Sequence, residues 1–379
     1  MMPPLMSNAK LIYDSTERNA DLYYATHFEA PDNILYLESR GKKYLILSDL
    51  ELERGKKEAE IDTILSLSAI AQKAKKMGKE GMVGIIDTLL KEFKIKKMTV
   101  PQSTSFALVD ALRKKGYKVE AGDTPFYIER TFKTPKEKKW LRESQKTVFR
   151  AMALAEKILK ESKIKSGGLY WHEKILTSEK LRFEIEQFLL QKGFHNTMQP
   201  IVACGLQATD PHCIGSGPLK AHQAIIVDIF PRHDKTKFFG DATRTFCKGK
   251  ASPELKKMYA AVKTAQEMAI QKIKAGVNGK TIHQAIVASF EKEGFKTGTI
   301  DGCKQGFIHG TGHGIGLEVH EEPARIGPRD FILKENHVVT VEPGLYYRKY
   351  GGVRLEDIVC VTKKGCERFP SYPKRLEIP

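Results

Sequence analysis

The chain has 379 residues, a length that suggests two domains at roughly 150 residues each. Hydrophobic residues make up 41% and aromatics 9%, enough to build real cores and to exclude wholesale disorder. No apolar run approaches the ~20 residues that would span a bilayer, and the first residues carry no basic stretch followed by an apolar one, so a cytoplasmic location is expected. The net charge of +17 rests mostly on lysines. They lie along helix-like stretches such as Lys73–Lys76 and Lys256–Lys257 and rarely alternate with aromatics, as a single-strand binding groove requires. A solvated basic surface is the simpler reading, with no specific nucleic-acid partner.

The first third alternates strand-like and helix-like patterns. Ile34–Glu38 and Tyr44–Ser48 flank Ser39-Arg40-Gly41-Lys42 and read as a hairpin. Residues 55–79 read as one polar helix with Ile61, Ile64, Leu65 and Leu67 as its apolar positions. Met98–Pro101 predicts a strand, Ser105–Gly116 a helix and Tyr117–Glu120 a strand, giving a small α/β domain over 1–133 whose only histidine is His27.

Thr134-Pro135-Lys136-Glu137 writes the boundary, with an N-cap residue, a proline at the first helical position and the glutamate of a capping box. A long helix follows, with Trp140, Val148, Met152, Ala155 and Leu159 near one face. Ser252-Pro253-Glu254 opens another helix, and Gly193 and Gly294 end two more. Strand-like chain follows each, a pattern that hints at an internal duplication of helix plus hairpin. The second domain is expected to span 134–379.

Ten of the eleven histidines lie beyond this boundary. In Ala224-Ile225-Ile226-Val227-Asp228-Ile229-Phe230 an apolar, strand-like run contains an acid. Asp241 opens Asp241-Ala242-Thr243-Arg244-Thr245-Phe246, and a hairpin through Pro231–Lys237 would join the two carboxylates. The pattern repeats where Val338–Val341 leads into Glu342, and where Gly352-Val353-Arg354-Leu355-Glu356-Asp357 carries Glu356 on a return strand. Four acids on core strands raise one another's pKa, and burial costs several kcal/mol per ion, whereas two divalent cations match them in charge. His309-Gly310-Thr311-Gly312-His313-Gly314-Ile315-Gly316 strips side chains from alternate positions, so backbone can approach a compact site. His313 is its candidate ligand; His320 follows in Val319-His320-Glu321-Glu322, and His212 precedes the first acidic strand. A lone carboxylate is ordinarily a turn residue and a lone histidine a structural one; that reading must hold at every position together to displace the metal site. The six cysteines, Cys204, Cys213, Cys247, Cys303, Cys360 and Cys366, form no C-x-x-C pair and read as reduced thiols.

These segments resemble the dimetal pita-bread metallopeptidases, and among them the Xaa-Pro peptidases, aminopeptidase P and prolidase. The resemblance runs from about Thr134 onward. It implies an α+β fold, with a pita-bread catalytic domain preceded by a smaller creatinase-type α/β domain. It implies Asp228, Asp241, His313, Glu342 and Glu356 as ligands of two divalent ions, Mn²⁺ by preference, with Co²⁺, Fe²⁺ or Zn²⁺ as alternatives. His320, His212 and Glu342 become the catalytic groups, His309 and His212 contact substrate, and Arg354 and Thr243 stand behind the ligands. The expected reaction is attack of a metal-bridging hydroxide on the bond between an N-terminal residue and a following proline, in a homodimer. After Asp228 the family's short Gly-containing turn is replaced by the longer Ile229–Asp234 stretch. Rival readings are a methionine aminopeptidase-like enzyme, a creatinase-like hydrolase working without metal, and a non-catalytic binding protein on the same scaffold.

Overall fold

The computed structural model describes residues 9–379. The chain forms two compact units that meet in sequence between Arg130 and Thr131. In the first unit, six strands make one mixed sheet: β1 (Ala9–Asp14), β2 (Ile34–Ser39), β3 (Lys42–Leu47), β4 (Thr63–Ser66), β5 (Lys97–Val100) and β6 (Lys118–Ala121), in the order β4-β3-β2-β1-β5-β6. Around them run α1 (Ala20–Thr26), α2 (Leu52–Glu58), α3 (Leu67–Lys76), α4 (Gly81–Glu92) and α5 (Phe106–Lys114). The predicted hairpin is present, and its two turn residues Arg40 and Gly41 both have positive φ, as a tight two-residue connection demands.

The single helix expected over 55–79 is instead helix, strand and helix. Thr63–Ser66 pairs in parallel with β3, placing Ile64 opposite Leu45 and Leu65 opposite Ile46. Ser66 then caps α3 by accepting a hydrogen bond from Ala69 N. An open sheet edge outweighed the helical spacing, because a strand there also satisfies backbone groups. The α4 helix, with Ile86, Leu89 and Leu90 in the core, was not anticipated from sequence.

The second unit opens with α6 (Pro135–Glu161), whose capping box is formed: Glu137 N donates to Thr134 Oγ1 at 3.2 Å and Thr134 N to Glu137 Oε2 at 2.7 Å. Helix α7 (Ser178–Gln191) follows, then the antiparallel strands β7 (Ile201–Cys204), β8 (Ile225–Ile229) and β9 (Ala242–Lys248). Helices α8 (Pro253–Lys272) and α9 (Gly279–Lys292) come next, then β10 (Val338–Val341), β11 (Gly344–Tyr347), β12 (Gly351–Arg354), β13 (Asp357–Val361), β14 (Cys366–Arg368) and β15 (Glu377–Ile378). Strand β11 pairs with β12, β13 lies between β10 and β14, and β15 returns to β9 in parallel. Two cores result. One joins α6 and α7 to β8 and β9 through Val148, Met152, Ile185 and Val227. The other joins α8 and α9 to β10–β13 through Val262, Ile286, Val341 and Val359. Each half is thus a helix pair lying on strands with two acids in or beside them, the repeat hinted at by the sequence.

The long stretch after Asp228 is anchored rather than loose. Arg232–His233 pairs with Phe194–His195, and Asp234 N donates to Gly193 O at 2.9 Å, so the insertion docks on the C-terminal end of α7.

Candidate metal centre

Asp228 lies within β8, opposite Thr243 of β9. Asp241 immediately precedes β9, Glu342 follows β10, and His313 sits on a two-residue strand that pairs with Arg325–Ile326. Glu356 is not inside a return strand as expected. It occupies the step between β12 and β13, where the chain leaves one sheet for the next, so its side chain is set by a break in the ladder.

These elements bring the predicted residues together. One side-chain donor atom each from Asp241, His313 and Glu356 falls within 4.8 Å of the others. His313 Nε2 stands 3.4 Å from Glu342 Oε1, 3.7 Å from Asp241 Oδ2 and 3.9 Å from Glu356 Oε1. Arg354 reaches Asp228 Oδ2 at 2.7 Å and donates through Nε to Thr243 Oγ1 at 3.3 Å; that hydroxyl donates to Glu356 Oε2 at 2.8 Å. The His320 ring meets the His313 ring edge-on at 4.3 Å. His309 Nδ1 is 4.0 Å from Glu342 Oε2. His212, exposed, lines the same cavity of about 760 Å³, together with Phe230, Ile308, His309 and His320.

The glycine alternation has a steric cause. A Cβ on Gly312 would lie 1.9 Å from Thr340 O, and one on Gly314 would lie 2.2 Å from Glu321 O. Backbone therefore passes through space that no side chain could share, and His313 is held between two such contacts.

Electrostatically the cluster is incomplete. Burial, then Glu356, Asp228 and Glu342, push the Asp241 carboxyl well above the usual carboxylate range. Burial and Glu356 raise Glu342 against the pull of Arg354, and burial and Asp228 push Glu356 up to about 8. Burial, reinforced by His320, holds His313 at about 3, which keeps it in the neutral form that binds metal. Among the described residues, Asp228 Oδ1 and Glu356 Oε1 are buried without a hydrogen-bond partner. Orphaned carboxylate oxygens, one of them 3.9 Å from a neutral imidazole, fit a hard divalent cation.

Sequence reasoning missed Tyr346. Its hydroxyl accepts from Arg354 Nη1 at 2.9 Å and lies 2.8 Å from His309 Nε2, linking the Asp228 side of the site to the cavity wall. Only its place in the apolar Gly344–Tyr347 strand could have singled it out, and aromatic residues are ordinary there.

The comparisons agree with this geometry. Residues 139–363, more than half of the chain, match metallopeptidase family M24. An Xaa-Pro dipeptidase from Pyrococcus horikoshii is 25% identical over 367 residues, covering 95% of this chain and 92% of that protein. An uncharacterised peptidase from Methanocaldococcus jannaschii is 36% identical over 227 residues, 56% of this chain and 60% of the relative. A solved Xaa-Pro dipeptidase from Bacillus anthracis superimposes with a TM-score of 0.80 at 27% identity, over 98% of this chain and 95% of that one. The X-Pro aminopeptidase of Thermotoga maritima shares the fold, with a TM-score of 0.80 at 24% identity, over 98% and 97% of the two chains. With its catalytic unit in the pita-bread fold, the chain belongs to metallopeptidase family M24.

Proposed function

We propose that this metallopeptidase cleaves the peptide bond between an N-terminal residue and a following proline, as an Xaa-Pro aminopeptidase or dipeptidase. The observation that carries the reading is the set of four clustered carboxylates and one neutral imidazole, with two buried oxygens left unbonded, at the floor of a substrate-sized cavity. Similarity along nearly the whole chain to a protein described as an Xaa-Pro dipeptidase supports the proline preference.

Asp228, Asp241, His313, Glu342 and Glu356 would hold two divalent ions, manganese by preference. Such a pair would supply Lewis acidity toward the scissile carbonyl and acidify the attacking water. Glu342, at the edge of the cavity beside His313, takes the proton of that water and delivers it to the imino nitrogen as the C–N bond breaks. His320 and His212 donate hydrogen bonds to the carbonyl oxygen as negative charge develops there. His309, placed on the cavity wall by Tyr346, borders the proline pocket. Arg354 and Thr243 orient Asp228 and Glu356 from behind.

The division of labour follows the sequence boundary, with residues 1–133 as an accessory domain and 134–379 as the catalytic domain. A homodimer is proposed with it. A reducing, cytoplasmic setting fits the six cysteines, all of them free.

The test is turnover of Xaa-Pro dipeptides against longer Xaa-Pro peptides with Mn²⁺ supplied. Cleavage of either, abolished by Asp228→Ala in a folded chain, is the expected result. Release of N-terminal methionine without regard to proline, or full activity in Asp228→Ala, would overturn the assignment.

A further inference from the structure

Asp228 lies inside a strand, but the other three acids do not. Asp241 stands just before β9, Glu342 between β10 and β11, and Glu356 between β12 and β13. At such breaks the regular ladder lapses, and main-chain groups need partners from elsewhere. Part of that need is met by their own neighbours: Glu342 N donates to Thr311 O at 2.7 Å and Glu356 N to Thr243 O at 3.0 Å.

Arg244 Nη1 donates to Glu356 O at 2.6 Å, and two further buried side chains outside the acid cluster, both glutamines, serve the main chain at the other positions. Gln145, on α6, uses both ends of its amide on one residue: Asp241 N donates to its Oε1 at 2.9 Å, and its Nε2 donates to Asp241 O at 2.8 Å. Gln266, on α8, spans two chain segments, with Nε2 donating to Val341 O at 2.8 Å and to Leu355 O at 3.2 Å. Those carbonyls belong to the residues immediately before Glu342 and Glu356. Both glutamines are 0% exposed. They also occupy matching places, one on the first long helix of each repeated half.

We propose that Gln145 and Gln266 are a matched pair of positioning residues that fix the main chain at three of the four acids and thereby set the affinity of the site for divalent metal. A glutamine that merely filled the core would be a poor choice, since an apolar side chain of similar size avoids desolvating an amide. Gln266 shows this directly, because its Oε1 is buried with no hydrogen-bond partner while its Nε2 serves two carbonyls. The unbonded oxygen is tolerated for the sake of the donor. The need for a fixed backbone is greatest here, where three acids that line one cavity are carried on chain outside the strands.

The inference rests on reading the acids as metal ligands, so its test measures binding rather than turnover. Full-length chain stripped with chelator is titrated with Mn²⁺ by calorimetry, for the parent, Gln145→Met, Gln266→Met and Ile270→Ala. The last removes core contacts on α8 without touching the acids. Expected is a loss of about 10–100-fold in Mn²⁺ affinity for each glutamine variant, the range for residues that orient ligands, with Ile270→Ala within about twofold of the parent. Glutamine variants that bind like the parent overturn the proposal. So do variants that fail to fold, which would make the glutamines core residues, and an equal loss in Ile270→Ala. A parent that binds no Mn²⁺ instead removes the metal reading itself.

Discussion

Arg354 concentrates the chemistry of the site in one side chain. Its guanidinium holds Asp228, Thr243 and the Tyr346 hydroxyl through three different nitrogens. Removing it leaves Asp228 as a buried carboxylate with no counter-charge on its Oδ2 side, a change that typically costs about 3–5 kcal/mol. Arg354→Met is therefore expected to lower stability by about that amount in urea unfolding and to abolish turnover, and Arg354→Lys to restore little, because an ammonium cannot reproduce the fork. A Lys variant with parental activity would show that only the charge matters. Residues of this kind were legible in the sequence because ions on apolar strands stand out. Tyr346, Gln145 and Gln266 were not, since an aromatic or an amide among apolar neighbours looks ordinary until its hydrogen bonds are known.

The first unit has its own buried ion at this scale. Burial alone would raise the Asp87 carboxyl, but hydrogen bonds from Lys79, Tyr117 and Lys91 win and hold it at about 2, below its ordinary 3.8. A depressed carboxyl contributes stability above its unfolded pKa and loses it as pH falls toward the folded value. The shift corresponds to roughly 2 kcal/mol. Asp87→Asn is expected to forfeit about that much at neutral pH and to flatten the stability of this unit between pH 3.8 and about 2, as followed by chemical denaturation. An unchanged acid limb would mean that the ion pair contributes nothing.

Among elements, those marked by local chemistry were readable and those decided by sheet pairing were not. The capping signals of α6 and α8 fixed both helix starts, because a side chain meeting its own backbone needs no tertiary partner. Strand β4 escaped notice because four residues with helical neighbours gain a strand's bonds only once β3 lies beside them. Glu356 was misplaced for the same reason, since the exchange of partners between β12 and β13 leaves no mark in the residues. Thr134→Ala is expected to cost about 1 kcal/mol, the usual worth of an N-cap, without altering kcat. Gly312→Ala makes the opposite contrast: its Cβ would strike Thr340 O, so the strand bearing His313 must move. Activity is expected to vanish there while the far-UV spectrum persists. Full activity in Gly312→Ala would mean that the close approach of backbone does not position the histidine.

Across the whole molecule, the duplicated architecture gathers acids from both halves, and the cost of doing so falls on the metal-free chain. Glu356 shows the direction. Its ordinary value is 4.5, but burial and Asp228 bring it to about 8 in the fold. Below 4.5 the group is neutral whether the chain is folded or not, and it costs nothing. As pH rises toward 8 the unfolded chain ionises while the folded carboxyl keeps its proton, so the catalytic unit loses stability through that window. The buried imidazoles act the other way: His309 and His313, held at about 3, favour the fold increasingly as pH rises toward 6.5 and contribute no further change above it. The carboxyl effect is thus isolated between pH 6.5 and about 8. Divalent metal reverses it, because bound ligands are deprotonated and the cation takes up their charge. The Tm of the chelator-treated catalytic unit is expected to fall over this interval, and the rise in Tm on adding Mn²⁺ to be larger at the alkaline end. Calorimetric scans at both pH values check it; a metal-induced rise that is equal, or greater at pH 6.5, would mean that the four carboxyls are already reconciled without a cation.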